Sequence, residues 1–246
     1  MEKNLSGKVV VVTGAGSGLG AATARAFGCA GAQVVCLDVN EDNAQRVSSG
    51  LRTENVSCTA LACDVSDAQS VANAVEQVIE AHGRIDILVN NAAVDHTLSV
   101  ADMSIAQWDQ VIGVNLRGPF LLSKAVLPHM QQQKDGHIVN VASTAATRAW
   151  ANASAYLASK WGLVGFSRGL GVEGRPFNIR VTTIIPGGMR THFFDRFADQ
   201  GIPMPDETNL QDPAIVADVI LSAVQVPQHS VIQEVIVTPL TESSWP

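Results

Sequence analysis

Lys8-Val9-Val10-Val11-Val12-Thr13-Gly14-Ala15-Gly16-Ser17-Gly18-Leu19-Gly20 is the stretch that decides the fold of this chain. Lys8 to Val12 is short and β-branched, the composition of a strand buried on both faces. Gly18 to Ala30 is alanine-rich with little β-branching, so a helix follows at once. Four glycines in the seven positions from Gly14 to Gly20 let the backbone turn tightly between them. The start of the helix offers free N–H groups and the positive end of its dipole. Strand, glycine-rich turn and helix in that order make a cradle for a dinucleotide pyrophosphate. The spacing departs from strict GxGxxG, whose third glycine would fall on Leu19.

The alternation continues outward from this unit. Gln33 to Leu37 reads as a second strand, Glu41 to Leu51 as a polar helix and Ser57 to Ala62 as a third strand. Asp67 opens a helix to His82, with Val71, Val75, Val78 and Ile79 on one face and Gly83 as its C-terminal cap. Asp86 to Asn90 is a fourth strand. A long helical region follows from Ile105 to Gln133, bent or interrupted near Gly118-Pro119. His137 to Ala142 is a fifth strand, Ser154 to Glu173 a helix and Ile179 to Ile184 a sixth strand. Pro186 to Asp212 lacks periodicity and reads as a long loop with short helical pieces, residues 188–212 forming a substrate lid. Pro213 to Gln225 is a helix with proline at its first position, and Glu234 to Thr238 is a last strand. Strands alternating with helices predict an α/β fold, since each crossover packs a helix back onto the sheet. The expected architecture is a doubly wound, Rossmann-type sheet of about seven mostly parallel strands with helices on both faces. Without repeat or linker, residues 1–246 read as one domain.

Composition narrows the class. Sixteen basic against 23 acidic side chains give a net charge of −7, the opposite of a nucleic-acid-binding surface. Apolar residues make up 46% and mean hydropathy is +0.17, enough for a large core. No apolar run approaches the ~18 residues of a membrane span. Met1-Glu2-Lys3-Asn4 leads into the first strand without a signal-like stretch, so a cytoplasmic location is expected. Cys29, Cys36, Cys58 and Cys63 form no CxxC and read as reduced thiols. The six histidines (82, 96, 129, 137, 192 and 229) are scattered, so no metal site is expected.

The chemistry begins at the second strand, which ends in Asp38. A carboxylate there accepts hydrogen bonds from an adenosine ribose diol. It also repels a 2′-phosphate, at roughly 4 kcal/mol for a charge pair ~4 Å apart at an effective dielectric near 20. Positions 15–17 and 39–45 hold no Lys or Arg to balance that repulsion. The cofactor expected is therefore NAD. The chain has a single tyrosine, Tyr156, and Lys160 stands one helical turn after it. A phenol near pKa 10 is a poor base at neutral pH. A nearby ammonium favours the phenolate and prepares it for proton exchange with an alcohol or carbonyl. Ser143 ends the fifth strand, at the sheet edge where ligands of such folds bind.

These features together resemble the short-chain dehydrogenase/reductase family, along essentially the whole chain. Its TGxxxGxG turn corresponds to Thr13–Gly20, and its adenine-contacting Asp-Val pair to Asp64-Val65. Its NNAG motif appears as Asn90-Asn91-Ala92-Ala93, with alanine in place of the glycine. Its helix asparagine corresponds to Asn115, its serine to Ser143, its YxxxK motif to Tyr156 and Lys160, and its PGxxxT segment to Pro186–Thr191. The resemblance implies that Asn115, Ser143, Tyr156 and Lys160 are catalytic, with Asn115 supporting a water relay. It implies cofactor contacts from Gly14, Gly16, Ser17, Gly18, Leu19 and Gly20 at the turn, from Asp38 and Val39, and from Asp64 and Val65. Further contacts are implied from Asn91, Ala92, Tyr156, Lys160, Pro186, Gly187, Met189 and Thr191. The implied reaction is reversible hydride transfer between NAD and a secondary alcohol or ketone, in a homotetramer; the alternatives are an NADPH-dependent carbonyl reductase of the same family, a non-catalytic dinucleotide sensor and, for assembly, a homodimer.

Substrate-facing segments are expected at Val94–Leu98, Ala145–Asn152 and the lid. They supply Trp150, Met189, Phe193, Phe194, Phe197 and Met204, with Asp95, Arg148 and Arg190 as the few charges, which points to a mainly apolar substrate. His96 and His192 are candidates to face the site. The ending departs from the Asp-Gly-Gly turn of many relatives. Its penultimate Trp245 predicts that residues 239–246 dock rather than fray.

Overall fold

The predicted strands form: β1 (Val9–Thr13), β2 (Gln33–Asp38), β3 (Cys58–Ala62), β4 (Ile87–Asn90), β5 (Gly136–Val141), β6 (Ile179–Pro186) and β7 (Glu234–Val237). In the computed structural model, which describes residues 4–195, 197 and 201–242, they form one sheet in the order β3-β2-β1-β4-β5-β6-β7. Every neighbouring pair is parallel. The helices are α1 (Gly18–Cys29), α2 (Glu41–Thr53), α3 (Ala68–His82), α4 (Ile105–Ile112), α5 (Gly118–Gln133), α6 (Ser154–Gly174) and α7 (Pro213–Val224).

Strand alternation divides the core into two layers. Val10 and Val12 pack on one face with Phe27 of α1, Leu51 of α2 and Ile220 of α7. Val9 and Val11 pack on the other with Val78 of α3, Val126 of α5 and Leu170 of α6. Both faces of β1 are therefore dry, which is why its sequence is continuously apolar. After β3 the chain crosses back over the sheet and adds β4 on the other side of β1, so the switch point lies where β1 meets β4. Ligands of such sheets bind there, beyond the carboxyl ends of the strands.

The expected bend near Gly118-Pro119 is a wider departure from the α-helix. Gly113–Arg117 forms a π turn between α4 and α5. The Gly118 N–H donates to the Gly113 carbonyl, five residues back. Pro119 has no N–H to give the Asn115 carbonyl, so the regular α ladder cannot run through this point. Such single-turn π segments collect at functional sites, and this one carries Asn115.

One buried group sets an acid limit on the fold. His137 on β5 is 1% exposed, and its Nε2 lies 2.8 Å from Thr182 Oγ1. Thr182 gives its own hydrogen to the Ile232 carbonyl, so it accepts from His137. Burial, with a smaller contribution from Arg180, pushes the His137 pKa down to about 3. The folded state thus resists a proton that the unfolded chain accepts near 6.5. This stability is present above pH ~6.5 and is lost as pH falls toward 3. Its upper bound is about 4–5 kcal/mol, at 1.36 kcal/mol per pH unit. Urea unfolding of His137→Gln, whose amide does not titrate, should show a shallower acid limb than the unchanged chain. Parallel limbs would remove His137 from the account.

Candidate active site

The turn after β1 is locked to the turn after β4. The Thr13 hydroxyl donates to the Val89 carbonyl and accepts from the Asn91 and Ala92 N–H groups, at 2.9 and 3.0 Å. Asn91 Nδ2 donates in return to the carbonyls of Thr13 and Gly14. Gly14 sits at φ +60, where a side chain would be strained. Ser17 makes no side-chain capping bond to α1, so its hydroxyl does not occupy the first N–H groups of the helix. Asp38 ends β2 beside this turn. Its Oδ2 accepts from the Gly16 N–H and its Oδ1 from the Asn40 N–H, both at 2.9 Å. Asp64, after β3, is fixed by the Ser66 N–H and hydroxyl.

A cavity of about 710 Å³ runs along the carboxyl edge of the sheet. Gly14, Ser17, Gly18, Leu19, Asp38, Val39, Asp64, Val65, Asn91 and Ala92 line it, as do Pro186, Gly187, Met189 and Thr191. The same cavity reaches Ser143, Tyr156 and Lys160. Sequence reasoning placed all of these together. Two of the predicted cofactor glycines stand apart. Gly16 is buried behind the lining, where its N–H holds Asp38. Gly20 lies inside α1, where a Cβ would come within 2.0 Å of the Gly14 carbonyl oxygen. Its absent side chain lets the helix close onto the turn, so its part is packing rather than contact.

The reacting end is built by β5 and α6. Ser143 leaves β5 in extended conformation, and its Oγ accepts from the Ala145 N–H. Tyr156 lies in the first turn of α6 and is 9% exposed. Lys160, one turn later, is 1% exposed, with Nζ 5.5 Å from the Tyr156 ring centre and donating to the Val141 carbonyl at 2.8 Å. Burial pushes its pKa down to about 7. The Phe193 ring stands 5.5 Å from Tyr156 and begins an aromatic series through Phe194 to Phe197.

Asn115, expected as catalytic, is 1% exposed and does not line the cavity. Its Oδ1 accepts from the Val94 N–H and its Nδ2 donates to the Val94 carbonyl, both at 2.8 Å. Nδ2 also donates to Ser159 Oγ. The side chain ties the wall residue Val94 to α6 through the π turn. Of the two histidines, His192 lines the cavity with Nδ1 2.9 Å from Asp195, whereas His96 lies outside it against Gln110.

Asn209 lines the cavity from within the expected lid segment, whereas Gln110, Thr144 and Glu242 line it from outside the segments that sequence reasoning named. Phe197, Met204, Asp95 and Arg190, expected there, do not line it. Residues 239–242 do pack: Thr241 Oγ1 donates to the Thr208 carbonyl, and Glu242 pairs with Arg148. Trp245 lies outside the described residues.

A dinucleotide cradle and a Ser, Tyr and Lys set share one cleft, which defines a dehydrogenase-type oxidoreductase site. The pattern of the short chain dehydrogenases matches residues 8–201. The chain belongs to the short-chain dehydrogenase/reductase family, whose members bind a nicotinamide dinucleotide. It is 43% identical to the D-threitol dehydrogenase of Mycolicibacterium smegmatis over 182 residues, 74% of this chain and 70% of that one. It is 39% identical to oxidoreductase UcpA of Salmonella typhimurium over 211 residues, 85% of this chain and 80% of the relative. A metagenomic short-chain oxidoreductase solved in complex with NADP superposes with a TM-score of 0.84 at 35% identity, covering 97% of this chain and 99% of its own.

Proposed function

We propose that this chain is an NAD-dependent dehydrogenase that interconverts a secondary alcohol and its ketone, with Tyr156 as general acid and base. The observation that carries this reading is the single cavity joining Asp38 and the glycine turn to Ser143, Tyr156 and Lys160. The dinucleotide, when bound, supplies the hydride acceptor or donor. In oxidation, Tyr156 as phenolate takes the hydroxyl proton of the substrate while the carbinol hydrogen leaves as hydride. Ser143 holds the substrate oxygen and steadies the charge that develops on it. Lys160 sits in a dry site that disfavours its charged form, and when protonated its ammonium favours the phenolate of the neighbouring Tyr156. Asn115 is a positioning residue that keeps Val94 against α6. Gly14, Ser17, Gly18 and Leu19 receive the pyrophosphate at the start of α1, and Asp38 receives the adenosine ribose. The lid is placed at residues 188–212, of which 196 and 198–200 lie outside the described residues, with Gly201 at φ +65 as a hinge and the Phe193 ring 5.5 Å from Tyr156.

The test is reduction of NAD in the presence of a panel of secondary alcohols and polyols. Turnover of at least one is expected, and none with either nicotinamide cofactor would reject the reading. A second reading, an NADPH-dependent carbonyl reductase, is favoured by the relative solved with NADP. Asp38 without a neighbouring base argues against it, and the cofactor ratio decides.

The family resemblance supports a homotetramer, with a homodimer as the alternative assembly. Trp161, Gly165, Gly169 and Val172 form an exposed face of α6, next to the exposed Phe120 of α5. Trp161→Arg should shift sedimentation to a smaller species, and an unchanged assembly would move the interface elsewhere. No helix among the described residues is long and apolar enough to cross a membrane. Four free thiols suit the cytoplasm as the location.

A further inference from the structure

We propose that Arg148 and Glu242 form a specificity element that receives a second hydroxyl of a neutral, polyol-type substrate. The inference rests on the dehydrogenase reading and names the substrate class for the same site. Arg148 follows Ser143 on the loop after β5, and Glu242 comes from the segment after β7. They meet as an ion pair with side chains only 19% and 12% exposed. Both line the cavity that holds Ser143 and Tyr156.

The pair is built into the wall rather than laid on it. Arg148 lies 5.9 Å from the Trp150 ring centre. Glu242 is anchored by its own turn, its N–H donating to the Pro239 carbonyl, and by Thr241 on Thr208. Its carboxylate presses on Gly187, where a Cβ would stand 2.1 Å from Oε2. Gly187 lines the same cavity.

Glu242 Oε2 is buried and accepts no hydrogen bond among the described residues. A buried carboxylate oxygen without a donor is costly, and a ligand hydroxyl can relieve that cost once the carboxylate turns from Gly187 toward the cavity. A hydroxyl is a small neutral group that can donate to a carboxylate while accepting from a guanidinium. A carboxylate substrate meets repulsion from Glu242, and a hydrocarbon substrate leaves the oxygen unpaired. Thr144, Gln110 and Asn209 add further polar groups to the lining. The sequence-based expectation of a mainly apolar substrate had Arg148 in view but not its partner.

The test compares threitol with sec-butanol, two four-carbon alcohols, on the enzyme–NADH complex. Calorimetry reads binding, and NAD reduction reads turnover. The unchanged enzyme should bind threitol at least about tenfold more tightly than sec-butanol, and Glu242→Gln should erase that preference. In turnover the loss should appear in KM for threitol, with Glu242→Asp restoring part of it. Equal binding of the two alcohols by the unchanged enzyme overturns the proposal, whatever happens to the variants. So does a Glu242→Gln preference equal to the original, or a uniform loss for both alcohols, the mark of a merely structural pair. Binding preference without turnover of any alcohol sustains the subsite and rejects the dehydrogenase reading instead.

Discussion

Tyr156→Phe should lower turnover by about a thousandfold or more while NADH affinity stays within about threefold. Proton transfer by a positioned side chain contributes roughly 10²–10⁴ in rate. The substitution removes one hydroxyl and leaves the ring, so its contact with Phe193 at 5.5 Å and the packing of α6 persist. No other phenol exists in the chain to substitute for it. The measurement is kcat for the best alcohol in the panel, beside NADH binding by fluorescence. A Phe variant with more than a tenth of normal turnover would remove Tyr156 as the acid–base group. Equal loss of NADH binding would make the residue part of the cofactor site only.

The second large effect concerns cofactor choice. The unchanged enzyme should favour NAD over NADP by at least about tenfold in kcat/KM, equivalent to ~1.4 kcal/mol. Asp38→Asn with Val39→Arg should reverse that order. Asparagine keeps an oxygen for one of the two backbone N–H groups that Asp38 binds, Gly16 and Asn40, and removes the charge. Arginine at position 39 lies in the cavity lining and supplies the missing base for a 2′-phosphate. Equal or better use of NADP by the unchanged enzyme would reject Asp38 as the selector. It would favour the NADPH-dependent reductase reading.

What was legible in the sequence was local. The run Lys8 to Gly20 shows strand, turn and helix within one short segment, because burial and backbone freedom act on neighbours. Tyr156 and Lys160 are visible as a pair because one helical turn separates them. Gly83 announced the end of α3 for the same reason, and it sits there at φ +71. Illegible features depend on contacts between distant segments. Arg148 and Glu242 lie far apart in the chain, and neither neighbourhood signals the other. Gly20 and Gly16 looked alike in the motif, yet one packs α1 on its own turn and the other holds Asp38. Asn115 was found by its motif, but its engagement with Val94 and Ser159 follows from the π turn, which no periodicity announced.

Transfer of the carbinol hydrogen itself tests the central claim most directly. A secondary alcohol deuterated at its carbinol carbon, chosen as the best substrate of the panel, is incubated with NAD and enzyme. The reduced cofactor is then analysed by mass spectrometry and proton NMR. The account predicts one deuterium on the nicotinamide ring, at a single face, from the unchanged enzyme, and almost none from Tyr156→Phe in the same time. Reduced cofactor without deuterium, or equal labelling by the Phe variant, would contradict it.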